Sequence, residues 1–291
     1  MSFSTLVGMR ECVDKFEGFI VDLWGVTHDG KLPYPGVIEC LTKLKELKKP
    51  VIFLSNAPRR VEKVEERLDE IGIPHQLYEF IMTSGEDAYK TLKAGKYADL
   101  GEKCYYLGPG KDEHLMEGVP LEVVDNVSEA DIILATGTRE AFDTLEPYKG
   151  LLDKAATNSP PMICVNPDYI VHIQGKPMFC AGALASLYEE RGGTVFYHGK
   201  PHPSVYRAIF DKFDGIPRES FLAIGDSFHT DIQGAQGVGI SSAFVPGGIH
   251  CKELEVSYGH LPKESLLRGL CKKEGLDPTF VLPGLIWQQE D

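Results

Sequence analysis

No two of the seven cysteines (Cys12, Cys40, Cys104, Cys164, Cys180, Cys251 and Cys271) have the spacing of a zinc site or a CxxC redox motif. They read as free thiols of a reducing compartment, and Arg10, Glu11 and Asp14 interrupt the start where a leader would be apolar, so a cytoplasmic protein is expected. No uncharged apolar run is long enough to span a bilayer, so no membrane partner is expected. Internal repeats and low-complexity linkers are missing as well. Positive charge is scarce, with 30 Lys and Arg against 43 Asp and Glu and a net charge of -13. That balance speaks against nucleic acid and anionic membrane as partners and leaves a small molecule held in a local basic pocket. Gly108-Pro109-Gly110 lacks the setting of a P-loop and reads as a turn. A homo-oligomer is compatible with all of this.

What the chain does have is enough apolar residue, 43% of 291, to bury one large core or two moderate ones without disulfides. Its organising stretch is Phe19-Ile20-Val21-Asp22-Leu23-Trp24-Gly25-Val26-Thr27, an apolar run that delivers one carboxylate and then turns at a glycine. A helical pattern follows (Val37, Ile38, Leu41, Leu44, Leu47) and is stopped by Pro50; Val51-Ile52-Phe53-Leu54 is a second strand, closing on Ser55-Asn56. Val61, Val64, Leu68 and Ile71 mark another helix, and Phe80-Ile81-Met82 a third strand before Thr83-Ser84-Gly85. There Ser84 with Asp87 predicts a capping box. This alternation is the beat of a parallel α/β sheet.

From about residue 90 to 178 the texture changes, with strands expected at 104–107, 121–124, 131–135, 162–165 and 170–173 and helical patches at 113–116 and 142–155. The alternating beat then returns. A helix through Ala183, Leu184, Leu187 and Tyr188 precedes the strand Thr194-Val195-Phe196-Tyr197, which leads to Gly199-Lys200-Pro201. A helix at 203–213, the strand Phe221-Leu222-Ala223-Ile224 ending on Gly225-Asp226-Ser227, a last core strand at 242–245 and a terminal helix at 263–273 complete the reading.

Four strand ends therefore present Asp22, Ser55-Asn56, Lys200 and Asp226, with Asp231 just beyond, and parallel strands would gather them at one rim. Each residue alone has a structural explanation as a cap, a turn or a surface charge. Together they supply what a carboxylate nucleophile needs to attack a phosphoryl group: a cation to cancel repulsion, an amine to hold the anion, and a hydroxyl and an amide to orient oxygens. Asp22 and Asp226 are hard oxygen ligands suited to Mg2+, with Asp231 in support.

These motifs resemble the haloacid dehalogenase-like superfamily: Asp22 to Thr27, Leu54-Ser55-Asn56, Gly199-Lys200-Pro201, and Gly225-Asp226-Ser227 through Thr230-Asp231. Thr83-Ser84-Gly85 and Asn166-Pro167-Asp168 resemble the subclass IIA pattern of the p-nitrophenyl phosphate, pyridoxal phosphate, phosphoglycolate and nucleotide phosphatases. The resemblance implies a Rossmann-like core at 1–86 and 184–291 and an inserted α/β cap at 87–183. It also implies a magnesium-dependent phosphatase for a small phosphorylated metabolite. Asp22 corresponds to the nucleophile that becomes an aspartyl-phosphate, Ser55 to the phosphate-binding hydroxyl with Asn56 beside it, and Lys200 to the charge-neutralising lysine. The metal would be held by Asp22, the Trp24 carbonyl and Asp226, supported by Asp231.

One position departs from that pattern. Trp24 stands where the phosphatases carry a second Asp as general acid and base, and an indole has no proton to give near neutral pH, so slowed turnover is expected. True dehalogenases resemble this chain in having an aromatic residue there, so halide displacement is a second reading. A weakly active binder of phosphometabolites is a third. Substrate choice would lie in cap loops, where Thr136, Arg139, Glu140, Asn166 and Asp168 are candidates. His28, His198 and His202 lie near motif residues and read as solvent-facing loop histidines.

Overall fold

Residues 3–173 and 176–288 are described by a computed structural model. The strands Gly18–Val21, Val51–Ser55 and Phe221–Gly225 are buried over their whole length, as strands covered on both faces must be, and this is why their sequences are unbroken apolar runs. They lie in a seven-stranded parallel sheet of order Ser4–Thr5, Phe280–Val281, Ser241–Phe244, Phe221–Gly225, Gly18–Val21, Val51–Ser55, Phe80–Thr83. From Gly18–Val21 the chain first builds outward through Val51–Ser55 to Phe80–Thr83. It later returns to Phe221–Gly225 on the other side of the starting strand and builds outward the opposite way. The strand order thus reverses between Gly18–Val21 and Phe221–Gly225, and at such a switch point the connecting loops part and leave a crevice at the carboxyl ends.

The chain divides into two units. The first comprises the described parts of Met1–Ser55, Glu65–Met82 and Tyr206–Asp291 and contains this sheet. Helix Val37–Glu46 buries Val37, Leu41 and Leu44 of the predicted stripe together with Cys40 and leaves Ile38 and Leu47 exposed, and helix Glu264–Glu274 buries Leu267, Leu270 and Cys271. The sequence reading takes 242–245 as the last core strand. The structure adds Phe280–Val281 and, beside it, Ser4–Thr5, paired Ser4 to Phe280 and Thr5 to Val281. Two-residue strands are too short to show a period.

The second unit comprises Asn56–Val64 and Thr83–Val205. It holds a separate parallel sheet of order Val195–Tyr197, Met162–Cys164, Ile132–Ala135, Lys103–Leu107, Glu122–Val123, and a hairpin of Ile170–Ile173 with Lys176–Phe179. This sheet forms the inserted cap domain. Here the structure differs from the expectation that the core pattern resumes at residue 184. Helix Ala181–Glu189 sends Ala181, Leu184, Ala185 and Tyr188 into the same core as Tyr105, Leu107, Ile133 and Leu152, and Val195–Tyr197 pairs with Met162–Cys164. An apolar run specifies a strand but not its partner.

Helix capping also differs by one residue. Thr83, rather than Ser84, is the N-cap of Ser84–Lys93, its hydroxyl accepting from the Glu86 N–H at 2.9 Å and donating to the Arg59 carbonyl at 2.6 Å. Ser84 donates instead to the Ala57 carbonyl. Among the described residues no helix is long and apolar enough to cross a membrane, and all seven cysteines are free thiols.

Candidate active site

Asp22 follows the last residue of Gly18–Val21 and Asp226 follows the last residue of Phe221–Gly225. Because these strands are parallel neighbours in register, Val21 opposite Ile224, both carboxylates leave the same edge side by side at the switch point. The Asp22 N–H donates to the Ile224 carbonyl at 2.9 Å, which continues the ladder one step into the site. Asp231 is brought back by the single π-type turn Phe228–Ile232. All three acids are buried, and one oxygen from each lies within 4.8 Å of the others. Among the described residues this is the one such cluster found.

Tight backbone packing fixes these side chains. A Cβ on Gly25, which has φ +85°, would fall 2.0 Å from Asp226 Oδ2, and a Cβ on Gly248 would meet the same oxygen at 2.0 Å. Asp226 Oδ2 also accepts the Ile249 N–H at 2.6 Å. A Cβ on Gly225 would overlap Asp231, whose Oδ2 accepts the Ser227 N–H at 3.2 Å. The loop after Asp22 is tied by Tyr258, whose hydroxyl donates to the Val26 carbonyl at 2.7 Å. Gly248 and Ile249 were not singled out from sequence; the only signal was a glycine pair just past a strand end.

Three buried carboxylates so close together repel one another strongly unless a cation lies among them. The donor set is all oxygen, which suits Mg2+ and not a thiolate- or imidazole-bound metal. The residues present therefore fit a magnesium site.

The other predicted residues fall into two places. Ser55 closes Val51–Ser55, the strand beside Gly18–Val21, and is buried. Asn56 and Lys200 belong to the second unit, where they are bonded to each other: the Lys200 N–H donates to Asn56 Oδ1 at 2.7 Å, and Asn56 Nδ2 donates to the Lys200 carbonyl at 3.0 Å. Lys200 is only 3% exposed. The strand that leads to it lies in the five-stranded sheet, not in the core sheet where the sequence pattern puts it.

Trp24 is half-buried, its ring edge-on to His28 at 5.6 Å and against Gly30, where a Cβ would come within 2.4 Å of the indole. The histidines are not solvent-facing loop residues as a group: His28 and His198 are buried. His28 Nδ1 accepts the Gly30 N–H at 3.0 Å, and burial lowers its pKa to about 4, so the ring is neutral at pH 7. His198 is spanned by Asp87 at 2.7 Å on Nδ1 and the Tyr97 hydroxyl at 2.9 Å on Nε2. His202 stacks on Tyr197, and burial lowers its pKa too. Of the cap candidates, Thr136 is bonded to the Tyr106 hydroxyl and Arg139 to that of Tyr105.

A parallel sheet whose switch point carries this acidic cluster, with a second α/β unit inserted in the chain, defines a class. The chain belongs to the haloacid dehalogenase-like hydrolase family. Residues 19–122 match the family model described as haloacid dehalogenase-like hydrolase, and residues 197–270 match a second one described as HAD-hydrolase-like.

Within it the chain falls in subfamily IIA, the group of NagD, the 4-nitrophenylphosphatases and chronophin. It is 25% identical over 237 residues to the ribonucleotide monophosphatase NagD of Escherichia coli (strain K12), covering 79% of this chain and 87% of that one. To the 4-nitrophenylphosphatase of Schizosaccharomyces pombe it is 24% identical over 246 residues, covering 78% and 82%. A crystal structure of a haloacid dehalogenase-like hydrolase from Brucella suis 1330 superimposes with a TM-score of 0.82 at 27% identity, covering 97% of this chain and all of that one.

Proposed function

We propose that the chain is a magnesium-dependent phosphatase that hydrolyses a small phosphorylated metabolite through an aspartyl-phosphate on Asp22. The observation that carries this reading is the buried cluster of Asp22, Asp226 and Asp231 at the switch point of the core sheet. Its similarity to NagD and to a 4-nitrophenylphosphatase supports phosphate ester hydrolysis over other chemistries of the family.

Asp22, the Trp24 carbonyl and Asp226 would hold the ion, with Asp231 in support. Bound there, the ion would neutralise charge between an attacking carboxylate and a phosphoryl group. Asp22 attacks phosphorus and the ester oxygen departs. Water then attacks the acyl phosphate, releases orthophosphate and restores the carboxylate. The Ser55 hydroxyl is suited to orient phosphoryl oxygens and the Lys200 ammonium to balance their charge, while the Asn56 amide, whose two N–H groups go to the Lys200 carbonyl and to Asp168, serves to hold the Lys200 backbone.

Trp24 brings neither an acid for the leaving group nor a base for water, and His28, neutral and with Nδ1 already accepting a hydrogen bond, makes a poor replacement. The enzyme should therefore favour phosphates with good leaving groups, such as acyl phosphates or p-nitrophenyl phosphate. The same residue favours a second reading, a phosphometabolite binder of slow turnover. Halide displacement is the weaker alternative because it has no use for the buried acidic cluster. A phosphate-release screen over sugar phosphates, nucleotides, pyridoxal phosphate, phosphoglycolate and acyl phosphates, with and without magnesium, separates these. Magnesium-dependent release supports the phosphatase, ligand stabilisation without turnover the binder, and metal-independent chloride release the dehalogenase.

A further inference from the structure

The Lys200 backbone is gripped by a side chain far away in sequence. Asn56 accepts the Lys200 N–H on Oδ1 and donates to the Lys200 carbonyl from Nδ2, closing a two-bond clamp. A primary amide has two N–H donors, and the second Nδ2 bond goes to Asp168 Oδ1 at 2.9 Å. Glycine is required beside the clamp: Gly199 has φ +103°, and a Cβ there would lie 2.5 Å from Asn56 Oδ1 and 2.7 Å from Ser84 Cβ.

Asp168 is itself held. Its N–H donates to Asn166 Oδ1 at 3.0 Å, and its carbonyl and that of Pro167 press on Gly182 of helix Ala181–Glu189, where a Cβ would come within 2.3 Å of Pro167 O. An ionised carboxylate only accepts hydrogen bonds. Set against Asn56, it accepts the amide with its NH2 toward Asp168 and repels the flipped amide, whose oxygen would face both the carboxylate and the Lys200 carbonyl.

We infer that Asp168 is a positioning residue: by fixing the orientation of the Asn56 amide it holds the Lys200 backbone, and with it the ammonium that the proposed phosphatase uses to balance phosphoryl charge. The catalytic part of this inference rests on the phosphatase reading; the clamp itself does not.

The test uses the full chain with magnesium and two readouts, p-nitrophenyl phosphate turnover and hydrogen exchange of the Lys200 amide followed by NMR. In Asp168→Ala the Lys200 amide should exchange about tenfold faster and kcat fall about tenfold, the scale of one hydrogen bond to a charged group, with KM little changed. Asp168→Asn keeps an acceptor oxygen at the same place and should recover most of both. If Asp168→Ala fails to fold, Asp168→Ser, whose hydroxyl is too short to reach Asn56, takes its place with the same expectation. Unchanged exchange at Lys200 in the folded Ala or Ser variant overturns the inference, and so does an Asn variant as impaired as Ala. If the wild type releases no phosphate, the phosphatase reading fails, and the exchange arm still decides whether Asp168 holds the clamp.

Discussion

Trp24 and His28 pack edge-on, 5.6 Å apart, just beyond the strand end that carries Asp22. In the proposed mechanism attack by Asp22 needs no proton, whereas departure of an alkoxide does, so Trp24→Asp should raise turnover on alkyl phosphates by up to the ~10²–10⁴-fold that a positioned acid supplies. The indole packs against Gly30 and His28, so the variant must be checked for folding by its melting temperature. If the folded variant gains nothing while the wild type already cleaves alkyl phosphates fast, Trp24 is not the limit. His28 gives a separate prediction. Its folded pKa of about 4 lies below the ordinary 6.5, so between these values the unfolded chain binds the proton and the folded one does not. Stability is full above pH 6.5 and falls as pH drops toward 4, by roughly 3 kcal/mol from this group at about 1.4 kcal/mol per pH unit. His28→Gln, which can still accept the Gly30 N–H, should flatten that part of the melting profile; a profile as steep as the wild type's would contradict the assignment.

At the scale of elements, the helix Ser84–Lys93 shows how its start is secured. Thr83 both caps it and ties it to the Arg59 carbonyl, and the Glu86 carboxylate turns to Arg60 at 2.5 Å and Lys90 at 3.3 Å instead of closing a capping box. Hydrogen bonding to Arg60 and Lys90 draws the pKa of Glu86 down, against the burial that would raise it. Thr83→Ala should cost about 1–2 kcal/mol, read from denaturant unfolding; a change near zero would mean the cap is dispensable. The strands at 19–21, 51–54 and 221–224 could be read from the sequence because burial on both faces leaves an unbroken apolar run. Asp22 and Asp226 could be read with them, since each directly follows such a run. The sheet to which Val195–Tyr197 belongs could not, because its apolar pattern is the same in either sheet. Nor could the Asn56–Lys200–Asp168 clamp, in which Asn56 lies more than a hundred residues from each of the other two and meets them through amide, carboxylate and backbone groups that leave no period. The cap is ambiguous by one residue in the sequence because Thr83 and Ser84 are adjacent hydroxyl residues, either of which could serve.

For the whole molecule, a magnesium ion held by the acidic cluster would link folding to metal. An ion that binds only the folded chain stabilises it by about 2.7 kcal/mol at a hundred times its Kd, so magnesium should raise the melting temperature, and Asp226→Asn should remove most of that rise. An equal rise in the variant would place the ion elsewhere. The most direct test of the central claim is mass spectrometry of the enzyme quenched in acid during turnover of p-nitrophenyl phosphate with magnesium. The account predicts one phosphoryl group on the peptide containing Asp22, absent without magnesium and absent in Asp22→Asn, which should stay folded and release no phosphate. A phosphoryl group on another residue, or substantial phosphate release by folded Asp22→Asn, would contradict it.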